Sequence, residues 1–390
     1  MGSLTDGLRL LFDADVDALM RDGRLNLDRD SIFATVEQAL AARDPAAALS
    51  ALNTQILATQ VMYRLERSES GIVEDREGRP GNDVYLSHLH CLRARVHMMV
   101  DDPAAARRDL LAATHLPNED PGARPLLVDV YQATGRFGHA LTLLRRLHQN
   151  EPTAQALWVL HLLARARYQG CDDHTIGMGV DFIERANDNE LFGPMADEHR
   201  SWRGTAPGND VLEGLHDDLV AQMDAGDCRA AQSTCQRLLA WMPDYAAGWY
   251  VLGDLLERES GHHVPTDATG RFAVVVLPDD ITRARAAAEA FHLAAYFDPD
   301  QAEYWKALSR ARLALGELGD AQYAADRAVA SAPDDPEGRW LRVLSLWRGE
   351  TDRVLEALDE ALAVVELDPT FTPAVRLLDD IDAKLDEAET

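Results

Sequence analysis

Apolar positions recur three and four residues apart over most of the chain, the period of helices that bury one face. The clearest stretch starts near Pro121. It carries Leu127 and Tyr131, then Gly135, then Ala140, Leu144 and Leu147, and closes at Pro152. Two helices joined by a glycine turn are the elements this predicts. A second such pair starts near Leu212, with Gly226, Ala231, Cys235, Leu238 and Pro243. A third starts near Ala246 with Trp249, Leu252, Gly253 and Leu256. A fourth runs from Ala302 through Trp305, Leu308, Ser309, Gly316, Ala321, Ala325 and Ala328 to Pro333. A fifth, more degenerate, ends on Ala357, Ala361, Val364 and Pro369.

The N-terminal part is more diverged. Leu86 to Pro117 gives a further unit with Leu92, Ala105 and Ala112, and its second helix has Asp102 as cap and Pro103 at the first helical position. Ser31 to Arg67 reads as another pair, broken at Asp44-Pro45. Leu4 to Met20 is amphipathic through Leu8, Leu11, Phe12, Val16 and Leu19; it either caps the array or docks on a partner. Pro373 to Glu387 reads as a capping helix.

Three stretches interrupt the pattern. Glu66 to Asp83 is charged and aperiodic, the signature of a loop. Asp188 to Asp210 carries Gly193-Pro194 and Pro207-Gly208. Gly261 to Asp280 splits the third pair and holds Arg271 to Pro278, a β-rich run expected to be extended and covered. The expected organisation is an N-terminal array over 1–187, an irregular linker over 188–211, and a C-terminal array over 212–390 with an insertion at 260–281.

The spacing of aromatic, small and proline residues over ~34 positions resembles the tetratricopeptide repeat family. The physical reasons are local. The glycine permits the turn, small residues in the second helix let the pair approach closely, and the proline ends the second helix. The resemblance implies an all-α fold, a right-handed α-α superhelix, with a non-helical insertion in one repeat. It also implies a concave groove lined by the first helices that binds a protein or peptide segment. On that face fall Lys306 and Arg310, with Arg339 and Arg342 near the same face one unit on, and Tyr250, Asp254 and Glu257 one unit before. A basic end beside an acidic one suits an acidic peptide. Alternatively, Lys306 and Arg310 pair with Glu303, Asp300 or Asp254 inside the array. Family members that clamp a terminal carboxylate place an asparagine where this chain has Asp254 or Arg310. Trp158, Trp249 and Trp305 fall at the repeat's aromatic position and are expected in the core, whereas Trp202 either anchors a partner or pins its own loop.

Charge narrows the partner. Lys plus Arg is 38 against 66 Asp plus Glu, a net charge of −28, which disfavours nucleic acid and anionic membrane surfaces. The absence of an apolar run of ~18 residues argues against membrane insertion. With no secretory pattern at Met1 to Leu11, a cytoplasmic location is expected. Cys228 and Cys235 stand ~10 Å apart along a helix, beyond disulfide reach, so buried reduced thiols are expected.

Catalytic signatures are absent: no phosphate-cradling glycine loop, Gly-x-Ser-x-Gly, His-Glu-x-x-His or paired Cys-x-x-Cys. No catalytic residue, metal site or cofactor is expected. His88 with Cys91, and His262-His263 with Asp267, lack a four-ligand set. Cys171 to His174 lacks an identifiable base and oxyanion donors. The expected function is a cytoplasmic scaffold or adaptor. The alternatives are a structural or accessory subunit of a larger assembly, and an enzyme with a site within 170–203.

Overall fold

The computed structural model describes residues 29–69, 82–148, 151–171, 173–186, 191–202, 206–260, 280–347 and 353–389. The amphipathic segment 4–20, most of the expected loop at 66–83, His262-His263 and the β-rich run 271–278 lie outside the described residues. The chain divides into two compact units, residues 1–150 and 151–390. The described residues form helices and no strand.

Unit 1 holds α1 (Arg29–Ala41), α2 (Pro45–Glu69), α3 (Asn82–Met99), α4 (Pro103–Thr114), α5 (Ala123–Ala133) and α6 (Phe137–Leu147). Unit 2 opens with α7 (Pro152–Tyr168), α8 (Asp173–Ala186) and α9 (Gly193–Ser201). It continues with α10 (Asn209–Asp224), α11 (Cys228–Trp241), α12 (Ala246–Glu259), α13 (Ile281–Phe297) and α14 (Ala302–Ala314). It closes with α15 (Leu318–Ser331), α16 (Pro336–Trp347), α17 (Val354–Leu367) and α18 (Thr372–Glu389). Within each unit consecutive helices pack as neighbours in a TPR-like series of helix pairs, except that α9 packs on α8 and α11 rather than on α10.

Among the described residues, one kind of turn closes six first helices. Gly135, Gly170, Gly226 and Gly316 have φ between 68° and 75°, and Arg43 and Asp101 take the same left-handed conformation. The residue after each donates its N–H to the carbonyl five positions back. Examples are Arg136 to Tyr131 at 2.8 Å and Glu317 to Arg312 at 2.9 Å. That bond satisfies a carbonyl the helix end would otherwise orphan. The second helix then starts on a side-chain cap where an aspartate follows. Asp102 accepts from Ala105 N at 2.9 Å and Asp227 from Ala230 N at 3.1 Å.

Small residues set the spacing within pairs. Ala321, Ala324, Ala325 and Ala328 on α15 are essentially fully buried. A Cβ on Gly253 of α12 would fall 2.6 Å from the ring of Phe291 on α13. These two helices flank the insertion and still pack as one pair, with Trp249 and Phe291 buried.

Two expectations need correction. Irregular backbone was expected across 188–211, but α9 lies within it, with Phe192, Met195, Ala196 and His199 buried. Gly193-Pro194 reads as a breaker, yet a proline in the first helical turn removes no intrahelical bond. Trp158 was expected in the core at the repeat's aromatic position. It is half-buried, while its neighbour Val159 is fully buried eleven residues before the left-handed Gly170.

Candidate partner-binding surface

The expected site residues cluster on α12, α14 and α16, and a repeated hydrogen bond fixes their register. Trp249 Nε1 donates to the carbonyl of Pro243, and Trp305 Nε1 to that of Pro299, both at 2.8 Å. One unit on, Arg339 Nε donates to the carbonyl of Pro333 at 3.0 Å. Arg339 therefore occupies the aromatic position, between helices, and its guanidinium also reaches Glu360 at 3.2 Å. Arg342 is held by Asp326 at 2.9 Å, Glu360 at 2.6 Å and Glu356 at 3.3 Å. Both arginines join α16 to α17, and Arg342 joins it to α15 as well.

Lys306 is also turned to structural use. Its side chain is 5% exposed, and its ammonium lies 2.5 Å from Glu303, 2.8 Å from Asp335 and 3.0 Å from Glu337. Burial opposes the charge, but hydrogen bonds donated to Asp335, Glu303 and Glu337 hold its pKa above the usual lysine range. The three carboxylates are close enough together to suggest a cation site, and the lysine ammonium is the cation between them. Arg310 shares Glu337 at 2.7 Å and is 22% exposed. The in-array pairing thus runs through Glu303, Asp335 and Glu337 rather than Asp300 or Asp254.

What faces solvent between α12 and α14 is aromatic and acidic. Tyr250 and Tyr304 lie with ring centroids 5.1 Å apart, backed by the buried Phe291 5.7 Å from Tyr250. Asp254 pairs with Arg258 at 2.7 Å along the same helix. Burial pushes the Glu257 carboxyl up to about 7; Arg310 and Arg258 oppose the shift and Asp254 adds to it. Tyr304 was not singled out from the sequence, although it sits one residue before the aromatic position.

Trp202 pins its own segment. Its ring stands 5.3 Å from that of Trp241, and Arg167 donates to its carbonyl at 3.2 Å. Arg167, 3% exposed, also donates to the His199 carbonyl at 3.0 Å and to Asp173 at 2.9 Å. The His199 ring is fully buried, bonded to the Ala240 carbonyl at 2.9 Å, and burial drives its pKa down to about 4. This polar core occupies the 170–203 region that the enzyme reading invoked.

In unit 1, Asp109 is buried between His90 at 3.0 Å and the Arg93 guanidinium, whose Nε lies at 2.8 Å. Burial opposes its ionisation, yet hydrogen bonds from His90 and Arg93 hold the carboxyl below its ordinary range. His88 pairs with Asp120, while burial pushes the Cys91 thiol up to about 12, so His88 and Cys91 are engaged separately. The same unit has a cavity of about 550 Å³ between α4, α5 and α6, which the sequence pattern did not anticipate. Its signal was Arg124, eleven residues before Gly135, where the fourth pair has Trp305 eleven residues before Gly316.

No family model and no curated protein matches the chain. Among solved structures it is similar to MamA from Desulfovibrio magneticus RS-1, at 15% identity and TM-score 0.32, over 55% of this chain and 96% of that one. TTC0263, a thermophilic TPR protein from Thermus thermophilus, aligns at 18% identity and TM-score 0.30, over 66% and 100%. The yeast Sti1 TPR2AB domain, in complex with pHSP90, aligns at 12% identity and TM-score 0.27, over 84% and 98%. The repeat architecture rests on the chain's own helix pairs and turns. No described helix is long and apolar enough to cross a membrane.

Proposed function

We propose that the chain is a protein-interaction scaffold whose second unit holds a segment of a partner on the face shared by α12 and α14. One observation carries this reading: the Tyr250–Tyr304 pair is partly open to solvent, and Tyr250 lies in the field of Arg310, Glu303, Asp254 and Glu257. Tyrosines offer apolar area with a polar tip, a combination enriched at interfaces. A Glu257 carboxyl titrating near 7 can donate or accept a hydrogen bond from a peptide amide. Lys306, Arg339 and Arg342 serve this face indirectly, by fixing α14 and α16 against their neighbours. Binding rather than catalysis, in the cytoplasm and without a cofactor, belongs to the same proposal.

The test is affinity purification from the source cell with wild type and with Tyr250→Ala, Tyr304→Ala and Arg310→Glu combined. Circular dichroism checks that the variant is folded. Partners recovered with wild type and lost with the variant support the reading. An unchanged partner set contradicts it.

A second reading, a fixed subunit of a larger assembly, draws on α17. Leu355 is 75% and Leu362 50% exposed, one heptad apart on one helix face. Light scattering of natively purified material decides it: a stoichiometric complex dissociated by Leu355→Asp with Leu362→Asp supports it, and a monomer excludes it.

A further inference from the structure

The fourth helix pair shows one way in which the aromatic position is filled. Trp305 lies against the turn at Pro299. Tyr323 meets its ring edge-on at 6.0 Å, and the Arg327 guanidinium sits over the indole at 5.3 Å. Both covering residues lie on α15, seven and eleven positions after the left-handed Gly316.

Unit 1 presents the same frame without its contents. Counting from the left-handed Gly135, Arg124 takes the place of Trp305, Thr142 that of Tyr323, and Arg146 that of Arg327. The cationic cover is kept while both aromatic rings are gone. All three residues line the cavity of about 550 Å³, which falls within the ~300–1,000 Å³ of ligand pockets. Leu111, Leu127 and Leu143 supply its apolar lining, and the Tyr131 ring, 5.3 Å from that of His139, forms one wall.

The cavity is also electrically unlike the chain that carries it. In a protein of net charge −28, no carboxylate lines it, while His115, Arg124, His139 and Arg146 do. Arg124 is held by Glu119 at 2.6 Å. Arg146 is exposed and makes no ion pair among the described residues. A guanidinium over an apolar slot favours an aromatic face beneath it and a carboxylate beside it.

We propose that this slot receives an aromatic side chain presented by an acidic segment of a partner protein, which takes the place Trp305 holds in unit 2. Arg146 covers the inserted ring as Arg327 covers Trp305, and carboxylates flanking the ring meet Arg146 and Arg124. The surrounding negative charge repels such a segment at long range, but screening confines that repulsion to ~10 Å at 0.1 M salt. A nucleic-acid ligand is disfavoured because it meets the same repulsion with many more charges. The site is independent of the face on α12 and α14.

The test uses the full chain and a fluorescein-labelled Glu-Glu-Trp-Glu-Glu peptide followed by polarisation, with Glu-Glu-Ala-Glu-Glu as its partner probe. The tryptophan peptide is expected to bind at least about tenfold more tightly than the alanine peptide. Arg146→Ala is expected to weaken it by about tenfold or more. Arg124→Trp, which supplies the ring from within, is expected to abolish binding. Should that variant fail to fold, Thr142→Trp fills the same slot from an exposed position. The proposal is overturned by absent or equal binding of the two peptides, or by binding that survives both filled-slot variants. It is equally overturned if duplex DNA, rather than acidic peptide, gives the signal that depends on Arg146.

Discussion

The aromatic slot of α14 and α15 and its counterpart on α5 and α6 are built on one backbone plan and finished differently. Around Trp305 the slot is closed from within: Tyr323 meets the indole edge-on, Arg327 covers its face, and the indole N–H donates to the Pro299 carbonyl. Around Arg124 the guanidinium turns to Glu119 and the space between α4 and α6 stays open. Stacked helices tolerate this because each pair depends chiefly on its immediate neighbours. A position that carries stability in one repeat is thereby released for recognition in another.

The largest expected effect separates the two slots. Trp305→Ala should destabilise unit 2 by ~3–5 kcal/mol, the usual range for removing a buried tryptophan. Arg124→Ala should stay within about 0.5 kcal/mol, as expected of a half-open surface pair. Urea unfolding of both variants checks this, and similar losses would break the distinction between a filled and an open slot.

Next comes the ion cluster that joins α14 to α16. Lys306→Ala leaves Glu303, Asp335 and Glu337 without their ammonium. Removing one partner of a buried pair costs ~3–5 kcal/mol, and the partial exposure of these carboxylates reduces that to about 2–3 kcal/mol. Lys306→Met should lose less, because it keeps the packing of the stem. Chemical denaturation distinguishes the two.

The pH dependence of Glu257 is smaller. Its folded pKa of about 7 lies above its ordinary value of 4.5, so the folded state binds the proton more tightly in that window. Its contribution is therefore complete below about 4.5 and is lost as pH rises through 7. Each tenfold gain in proton affinity corresponds to ~1.4 kcal/mol, and solvent access lowers the total to about 1–2 kcal/mol. Glu257→Gln should flatten stability between about pH 5 and pH 8 by that amount; an unchanged profile would remove Glu257 from the account. Smallest of all, Arg146→Ala should leave the melting temperature within about 1 °C, as for an exposed side chain without an ion pair, even as peptide binding falls.

The helix pairs were legible because their signals are local. Glycine at the turn, alanine in the second helix and proline beyond it each act within one or two turns of chain. The α9 helix was not legible, because Gly193-Pro194 reads as a breaker when its burial against α7 and α11 is unknown. Lys306 could be placed on a helix face, but two of its acids, Asp335 and Glu337, belong to the next repeat. Arg339 was misplaced by one position in the repeat, and the hydrogen bond to Pro333 settles its register. The open slot at Arg124 is masked in the sequence because Leu127 and Tyr131 match the repeat well. The missing aromatic appears only when the turn glycines are aligned.

Photo-crosslinking tests the exchange of an inner ring for an outer one most directly. The acidic peptide is made with benzoylphenylalanine in place of its tryptophan, irradiated with the full chain, and the adduct is mapped by mass spectrometry. The account predicts attachment to the slot between α4, α5 and α6, at Leu127, Tyr131 or Leu143, and loss of that adduct in Arg124→Trp. Attachment confined to unit 2, or an adduct in unit 1 that Arg124→Trp leaves unchanged, would contradict it.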